Sequence, residues 1–260
     1  MRSADRQQII VDRLRTVAQV SVAELAALTG ASEMTIRRDL DALAAGGVVR
    51  RIHGGAVPAA PSGLEPPFAA RVTAAAAAKR AIAGLAASLV RDGETVIVDS
   101  GTTAVEFARA LHERAVTVMP LSLHAAQALL DAPRVRLLLP GGEPRPGELS
   151  LVGPLALASL RALRFDVAVL SPCALSLDAG LTAYDLADAE IKQQALAVAA
   201  RSVVLADGAK WGRAALAHIC PAHRPDVIVT DETAPADQRA ALADRGALVR
   251  TATVHSGETR

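Results

Sequence analysis

The 260-residue chain is poor in cysteine, lysine and aromatics, and each shortage excludes something. Cys173 and Cys220 are the only cysteines and have no metal-ligand spacing between them, so neither a disulfide framework nor a zinc site is expected. No metal or cofactor is called for. Apolar runs never reach the roughly 18 residues that a membrane span needs, because Arg and Asp keep breaking the Ala-rich stretches. The opening MRSADRQQIIVDRLR lacks the apolar core of a secretory signal, so a cytoplasmic protein with no membrane partner is expected. The net charge of +1 neither demands nor forbids nucleic acid. Lys79, Lys192 and Lys210 are the only lysines among many arginines, which makes their positions informative.

What is present falls into two parts. Residues 1–57 have helical patterning that ends in a β-like segment, 48–52. A Pro-, Gly- and Ala-rich stretch follows (PAAPSGLEPP) and reads as linker across 58–70. From 71 to 260, short β-branched runs at 95–99, 116–119, 135–139, 166–170, 203–207, 226–230 and 247–254 alternate with Ala/Leu-rich helical stretches. That alternation predicts an α/β domain with a mainly parallel sheet covered on both faces. Such sheets bind ligands at the carboxyl ends of their strands.

In the first part, Ile9, Ile10, Leu14 and Val17 share one face of a first helix. Ser21-Val22-Ala23-Glu24 fits a capping box for a second helix that buries Leu25 and Leu28, and Gly30 is placed to end it. Ser32 can cap a third helix whose core face carries Ile36, Leu40 and Leu43. At 100° per residue, Met34 and Arg38 then point away from the core, with Thr35 and Arg37 on the flanks. A helix entering the major groove is read through such N-terminal side chains. Gly46 through Gly55 reads as a hairpin with a basic tip. Eight Arg oppose six acids in 1–57, a modest net +2, but four of those Arg (Arg37, Arg38, Arg50 and Arg51) fall on the third helix and the hairpin.

The run ELAALTGASEMTIRRDLDALAAGGVVRRIHGGA closely resembles the winged helix-turn-helix of the DeoR family of bacterial transcriptional regulators, TIRRDL and RIHGGA being its distinctive parts. The resemblance implies that Ser32, Thr35, Arg37 and Arg38 meet double-stranded operator DNA, with Arg51 and His53 supporting from the wing.

In the second part, 95–99 ends in Asp99-Ser100-Gly101-Thr102-Thr103 and enters a helix. A strand, a Gly turn bearing hydroxyls and a helix N-terminus make an anion cradle; a plain capped βα loop is the simpler reading. Pro140-Gly141-Gly142-Glu143 marks a sharp turn. Leu151-Val152-Gly153-Pro154 opens a helix, and Gly180-Leu181-Thr182 precedes one carrying Asp188, Glu190 and Lys192. Asp99, Asp207 and Asp231 each follow an apolar strand, where they can cap a helix or bind sugar hydroxyls, and Lys192 and Lys210, in the same set, can serve as point-charge partners for phosphate.

In this order these landmarks resemble the DeoR-type sensor domain, which shares its fold with ribose-5-phosphate isomerase and CoA transferases. That resemblance implies a phosphorylated sugar effector held by Asp99, Ser100, Gly101, Thr102, Thr103, Gly141, Gly142, Lys192, Asp207 and Lys210; Lys79 also fits the family pattern. Pro120-Leu121-Ser122, Ser171-Pro172-Cys173-Ala174 and Trp211 depart from it. The whole implies a non-enzymatic repressor of carbohydrate genes, assembled as a homodimer or homotetramer and released from DNA by its effector. Two rivals stand beside it: a sugar-phosphate isomerase-like enzyme, and a DNA-binding protein whose C-terminal domain only oligomerises.

Overall fold

The computed structural model describes residues 3–17, 19–45, 49–58 and 65–254 and divides the chain into two compact units, Met1–Leu64 and Glu65–Arg260. The stretch expected as linker is split by that division. Residues 59–64 lie outside the described residues, and 65–70 belong to the second unit.

The first unit runs α1 (Ser3–Thr16), β1 (Val20–Ser21), α2 (Val22–Thr29), α3 (Glu33–Ala45), β2 (Val49–Ile52) and β3 (Gly55–Pro58). Ile10, Leu14, Val22, Leu25, Ile36, Leu40 and Leu43 bury together as the helical spacing predicts. Leu28 does not join them; it is 53% exposed. The buried stripe of α2 passes through Val22, Leu25 and Ala26, and Leu28 lies about 120° away from Val22 around the axis. Ile9 is likewise only partly buried. Ser21 caps α2 by accepting the Glu24 amide at 3.1 Å, and Gly30 ends it in the left-handed region. The Glu24 carboxylate is engaged by Arg13 at 2.9 Å. Asp39 is buried on α3, where it accepts from Arg6 at 2.6 Å and from the Ser3 hydroxyl at 2.7 Å. Burial alone would raise its carboxyl, but the Arg6 and Ser3 bonds outweigh this and hold it below the usual carboxylate range.

β2 and β3 form the expected hairpin around His53 and Gly54, and β3 also pairs with β1. Gly46, Gly47 and Val48, read as its opening, lie outside the described residues. Gly55 is required where β3 crosses β1, because a Cβ there would stand 2.0 Å from the Val20 carbonyl oxygen.

The second unit continues with α4 (Phe68–Thr73), α5 (Ala76–Ala87), β4 (Thr95–Val98), α6 (Thr102–Ala110), β5 (Thr117–Pro120), α7 (Leu123–Gln127), β6 (Arg136–Leu137), β7 (Glu143–Pro144), β8 (Leu151–Val152), α8 (Pro154–Arg161) and β9 (Phe165–Leu170). After these come β10 (Ala174–Ser176), β11 (Gly180–Ala183), α9 (Leu186–Val198), β12 (Ala199–Leu205), β13 (Ala217–Cys220), β14 (Val227–Asp231), α10 (Ala236–Asp244) and β15 (Leu248–Ala252). The seven apolar runs read from the sequence are the seven strands of one wholly parallel sheet, ordered β15-β14-β12-β9-β4-β5-β6. Only 135–139 shrinks markedly, to the two residues of β6. Alternate residues feed opposite faces: Val96 and Val98 pack in the cluster with α5, α6 and α7, while Ile97 packs in that with α8, α9 and α10.

Two small antiparallel sheets, β7-β8 and β10-β11-β13, were not anticipated, since strands of two to four residues carry too little periodicity to register. Gly180-Leu181-Thr182, expected only to precede a helix, is itself strand β11.

Replacing Leu40, fully buried on α3, by Ala should destabilise the first unit by about 2–5 kcal/mol. Far-UV circular dichroism in urea should report the loss. Fluorescence of Trp211, the sole tryptophan, reports the second unit and should keep its midpoint; an equal shift in both signals would mean that the units do not unfold separately.

Candidate nucleic-acid interface and anion site

The first turns of α3 present a compact outward face. Ser32 caps the helix, its hydroxyl 3.3 Å from the Thr35 amide and 2.9 Å from the Thr35 hydroxyl, so the two side chains hold each other. Met34, Arg37 and Arg38 are exposed beside them. Arg37 pairs with Glu33 one turn earlier at 2.9 Å, an exposed contact worth little, which DNA phosphate could displace. From the wing, Arg51 lies 3.3 Å from Asp41 on α3, and His53 is exposed at the hairpin turn. The six residues expected at DNA therefore fall on the two elements that a winged helix applies to a duplex.

The second site follows from sheet order. Read in chain sequence, the strands run outward from β4 through β5 to β6 on one side, and from β9 through β12 and β14 to β15 on the other. The chain reverses direction between β4 and β9, and at such a switch point the loops beyond the carboxyl ends part to leave a crevice. Asp99 to Gly101 leave β4 there, and Ser171 leaves β9. The Ser171 amide donates to Asp99 Oδ2 at 2.7 Å and bridges the two strand ends.

Beneath this crevice Lys192, 1% exposed on α9, donates to Asp188 Oδ2 at 2.6 Å, Asp99 Oδ1 at 3.0 Å and Ser100 Oγ at 3.2 Å. Burial disfavours its charge, but the Asp188 and Asp99 carboxylates outweigh that and hold the ammonium above the usual lysine range. With its three donors committed, Lys192 shapes the loop from below. Asp188, which sequence reasoning did not assign to the site, is its closest partner. The Asp188–Lys192 spacing of one helical turn was the available signal.

Above the crevice the groups are less committed. Gly101 enters α6 at φ +93° with no side-chain cap, so no N-cap side chain satisfies the first amides of the helix. Thr103, two residues on, is fully buried, and its hydroxyl has no hydrogen-bond partner among the described residues. Lys210 donates to Ser171 Oγ at 3.0 Å, and Lys79 to the Arg71 carbonyl. Burial pushes both ammonium groups below the usual lysine range. Lys79 has Asp207 and Lys210 among its charged neighbours, so all three lysines of the chain gather at this edge of the sheet. Asp207 caps the turn Gly208–Lys210, accepting the Ala209 amide at 3.0 Å. A cavity of about 270 Å³ opens beside Thr102 between α4, α6 and α7, walled by Phe68, Val72, Glu106 and His124.

Other expected residues have structural duties. Gly142 packs between β8 and α8, where a Cβ would lie 2.6 Å from the Val152 carbonyl oxygen and 2.9 Å from the Ala156 Cβ, and Gly141 donates to Ser159 on α8 at 3.2 Å. Asp231 accepts from Gly208 and Thr233, as a loop cap does. Cys173 sits 3.8 Å from Glu65, and burial pushes its thiol up to about 11. Among the described residues no group of His, Cys, Asp and Glu could hold a metal, and no helix is long and apolar enough to cross a membrane.

Family comparisons agree with this division of labour. The DeoR-like helix-turn-helix domain matches residues 6–61, and the DeoR C terminal sensor domain matches 74–232. The chain belongs to the DeoR family. Among relatives of this DeoR-family regulator, a protein of Escherichia coli O157:H7 named for repression of the aga operon is 36% identical, covering 95% of this chain and 93% of the relative. The HTH-type transcriptional regulator GlpR of Haloferax volcanii is 32% identical over 96% and 98% of the two chains, and the transcriptional repressor AccR of Agrobacterium fabrum 33% over 87% and 89%. Among solved structures, ribose 5-phosphate isomerase A of Methanocaldococcus jannaschii is 21% identical over 51% of this chain and 53% of its own, with a TM-score of 0.39.

Lys192→Met would leave Asp99 and Asp188 facing each other without their cation. Urea unfolding of the second unit at neutral pH should show a loss of about 3–5 kcal/mol. Acidification should recover part of it, since protonation relieves the repulsion between the carboxylates. A loss that stays constant with pH would contradict this account of the cluster.

Proposed function

We propose that this transcriptional regulator represses carbohydrate genes from operator DNA and is released by a phosphorylated sugar. What supports the reading is the crevice between β4 and β9: α6 starts there without a side-chain cap, Lys210 donates to Ser171 beside it with Lys79 as a charged neighbour, and the buried Thr103 hydroxyl in the first turn has no partner among the described residues. Helix N-termini favour phosphate, and buried ammonium groups gain from an anionic partner. Asp207 retains acceptor capacity for sugar hydroxyls. On this reading Ser100, Gly101, Thr102, Thr103, Asp207 and Lys210 touch the effector, and Asp99 and Lys192 position them; Gly141 and Gly142 support the neighbouring turn. Ser32, Thr35, Arg37 and Arg38 meet the duplex, with Arg51 and His53 at its flank.

An enzymatic reading is less well supported. An isomerase needs a carboxylate free to take a proton; Asp99 has one oxygen on the Ser171 amide and the other on Lys192, which leaves only Asp207, itself the cap of the Gly208–Lys210 turn. The names of the relatives likewise describe regulators. Cytoplasmic location and a dimer or tetramer that pairs two winged helices on a two-fold operator complete the proposal. Release requires the effector to bind more tightly to the arrangement with low operator affinity; equal affinity for both would shift nothing.

Two variants separate the surfaces. Arg38→Ala should weaken binding to the protein's own upstream DNA by about 1–3 kcal/mol, measured by fluorescence anisotropy, with effector binding intact. Thr102→Ala combined with Lys210→Ala should abolish the sugar-phosphate response while operator affinity holds. Failure of wild-type protein to bind any upstream fragment in a salt-sensitive way would overturn the proposal.

A further inference from the structure

Helix α4 is held to the second unit in an unusual manner. None of its residues is fully buried. Its attachments are discrete: Phe68 stacks on His124 with ring centroids 3.9 Å apart, and Arg71 pairs with Glu148 and lies 3.3 Å from Glu65. At its far end the Arg71 carbonyl accepts from Lys79. Between α4 and the next helix Ala75 sits at φ +52°, a conformation that residues other than glycine seldom adopt. The helix also neighbours the candidate anion site, since Phe68 and Val72 line a cavity that reaches Thr102, the first residue of α6. Glu65, beside Arg71, is where the second unit begins.

Lys79 connects these facts. It is 4% exposed, it is tied to a neutral carbonyl, and its charged neighbours are Asp207, Lys210, Arg71 and Glu106. An ammonium bonded to a carbonyl forms a stronger, charge-assisted bond when an anion comes within reach. We propose that α4 is a strap over the anion site and Lys79 its latch: an anion bound at the first turn of α6 draws the Lys79 ammonium off the Arg71 carbonyl and so releases α4. This rests on the reading of that crevice as the effector site and names the first step by which occupancy reaches the start of the second unit.

Hydrogen exchange of the full-length protein tests it, following the amides of 68–75 with and without ribose 5-phosphate, fructose 6-phosphate or inorganic phosphate. Binding is scored separately by the shift in Tm. For any probe that raises Tm, exchange in 68–75 should quicken severalfold while β4 and β9 stay protected. Lys79→Met should show fast exchange in this segment before any probe is added, and no further change after it. Phe68→Ala frees the opposite end of α4 without touching the latch; it should also exchange fast, yet still respond to the probe.

A probe that raises Tm but leaves 68–75 unchanged overturns the strap and spares the effector site. Slow exchange in Lys79→Met, with Tm showing the variant to be folded, overturns the latch. Should none of the three probes shift Tm, the sugar-phosphate reading fails and the release step with it.

Discussion

Because Lys192 donates at once to Asp99, Asp188 and Ser100 while almost fully excluded from water, the loop after β4 and helix α9 are bound to each other through a single charge. Asp99 extends the tie to β9 through the Ser171 amide. Three segments distant in sequence thus converge at the place where the sheet reverses. Such a network is costly to leave half-satisfied, and that fixes the geometry of the crevice above it.

The same arithmetic governs what the crevice can attract. Lys79, Lys192 and Lys210 are matched by Asp99, Asp188 and Asp207, so the cluster as a whole carries no excess positive charge to gather anions indiscriminately. On the proposed reading, affinity comes from directed groups: helix amides, the Thr103 hydroxyl and two ammonium groups whose burial makes an anionic partner worth more. A site built in this way discriminates by shape and hydrogen-bond direction. That suits a sensor, which must pick one phosphorylated metabolite from many.

Much of this was legible in the chain. The central strands of the sheet announced themselves because a strand buried on both faces must be apolar throughout, and Ile36, Leu40 and Leu43 betrayed α3 by their spacing. What stayed hidden was of two kinds. Short strands such as β10 and β11 are set by partners far along the chain, so no local pattern marks them. Roles set by proximity were hidden too: Lys192 reads as a phosphate ligand until Asp188 and Asp99 are seen to occupy it, and Gly142 reads as a ligand contact until α8 is seen to press against it. Glu65, in a stretch that composition marks as linker, and Arg71 just beyond it belong to a network that only the fold assembles.

The crossing of β3 over β1 has a mechanical result. Val20 and Ser21 lead directly into α2, and they are stitched to the returning arm of the hairpin at a glycine with no spare room. The hairpin's tip and the helix beside it are consequently parts of one rigid jig. On the proposed reading of the wing, a hairpin held in this way would meet a duplex as one piece with α2 rather than as a loose arm.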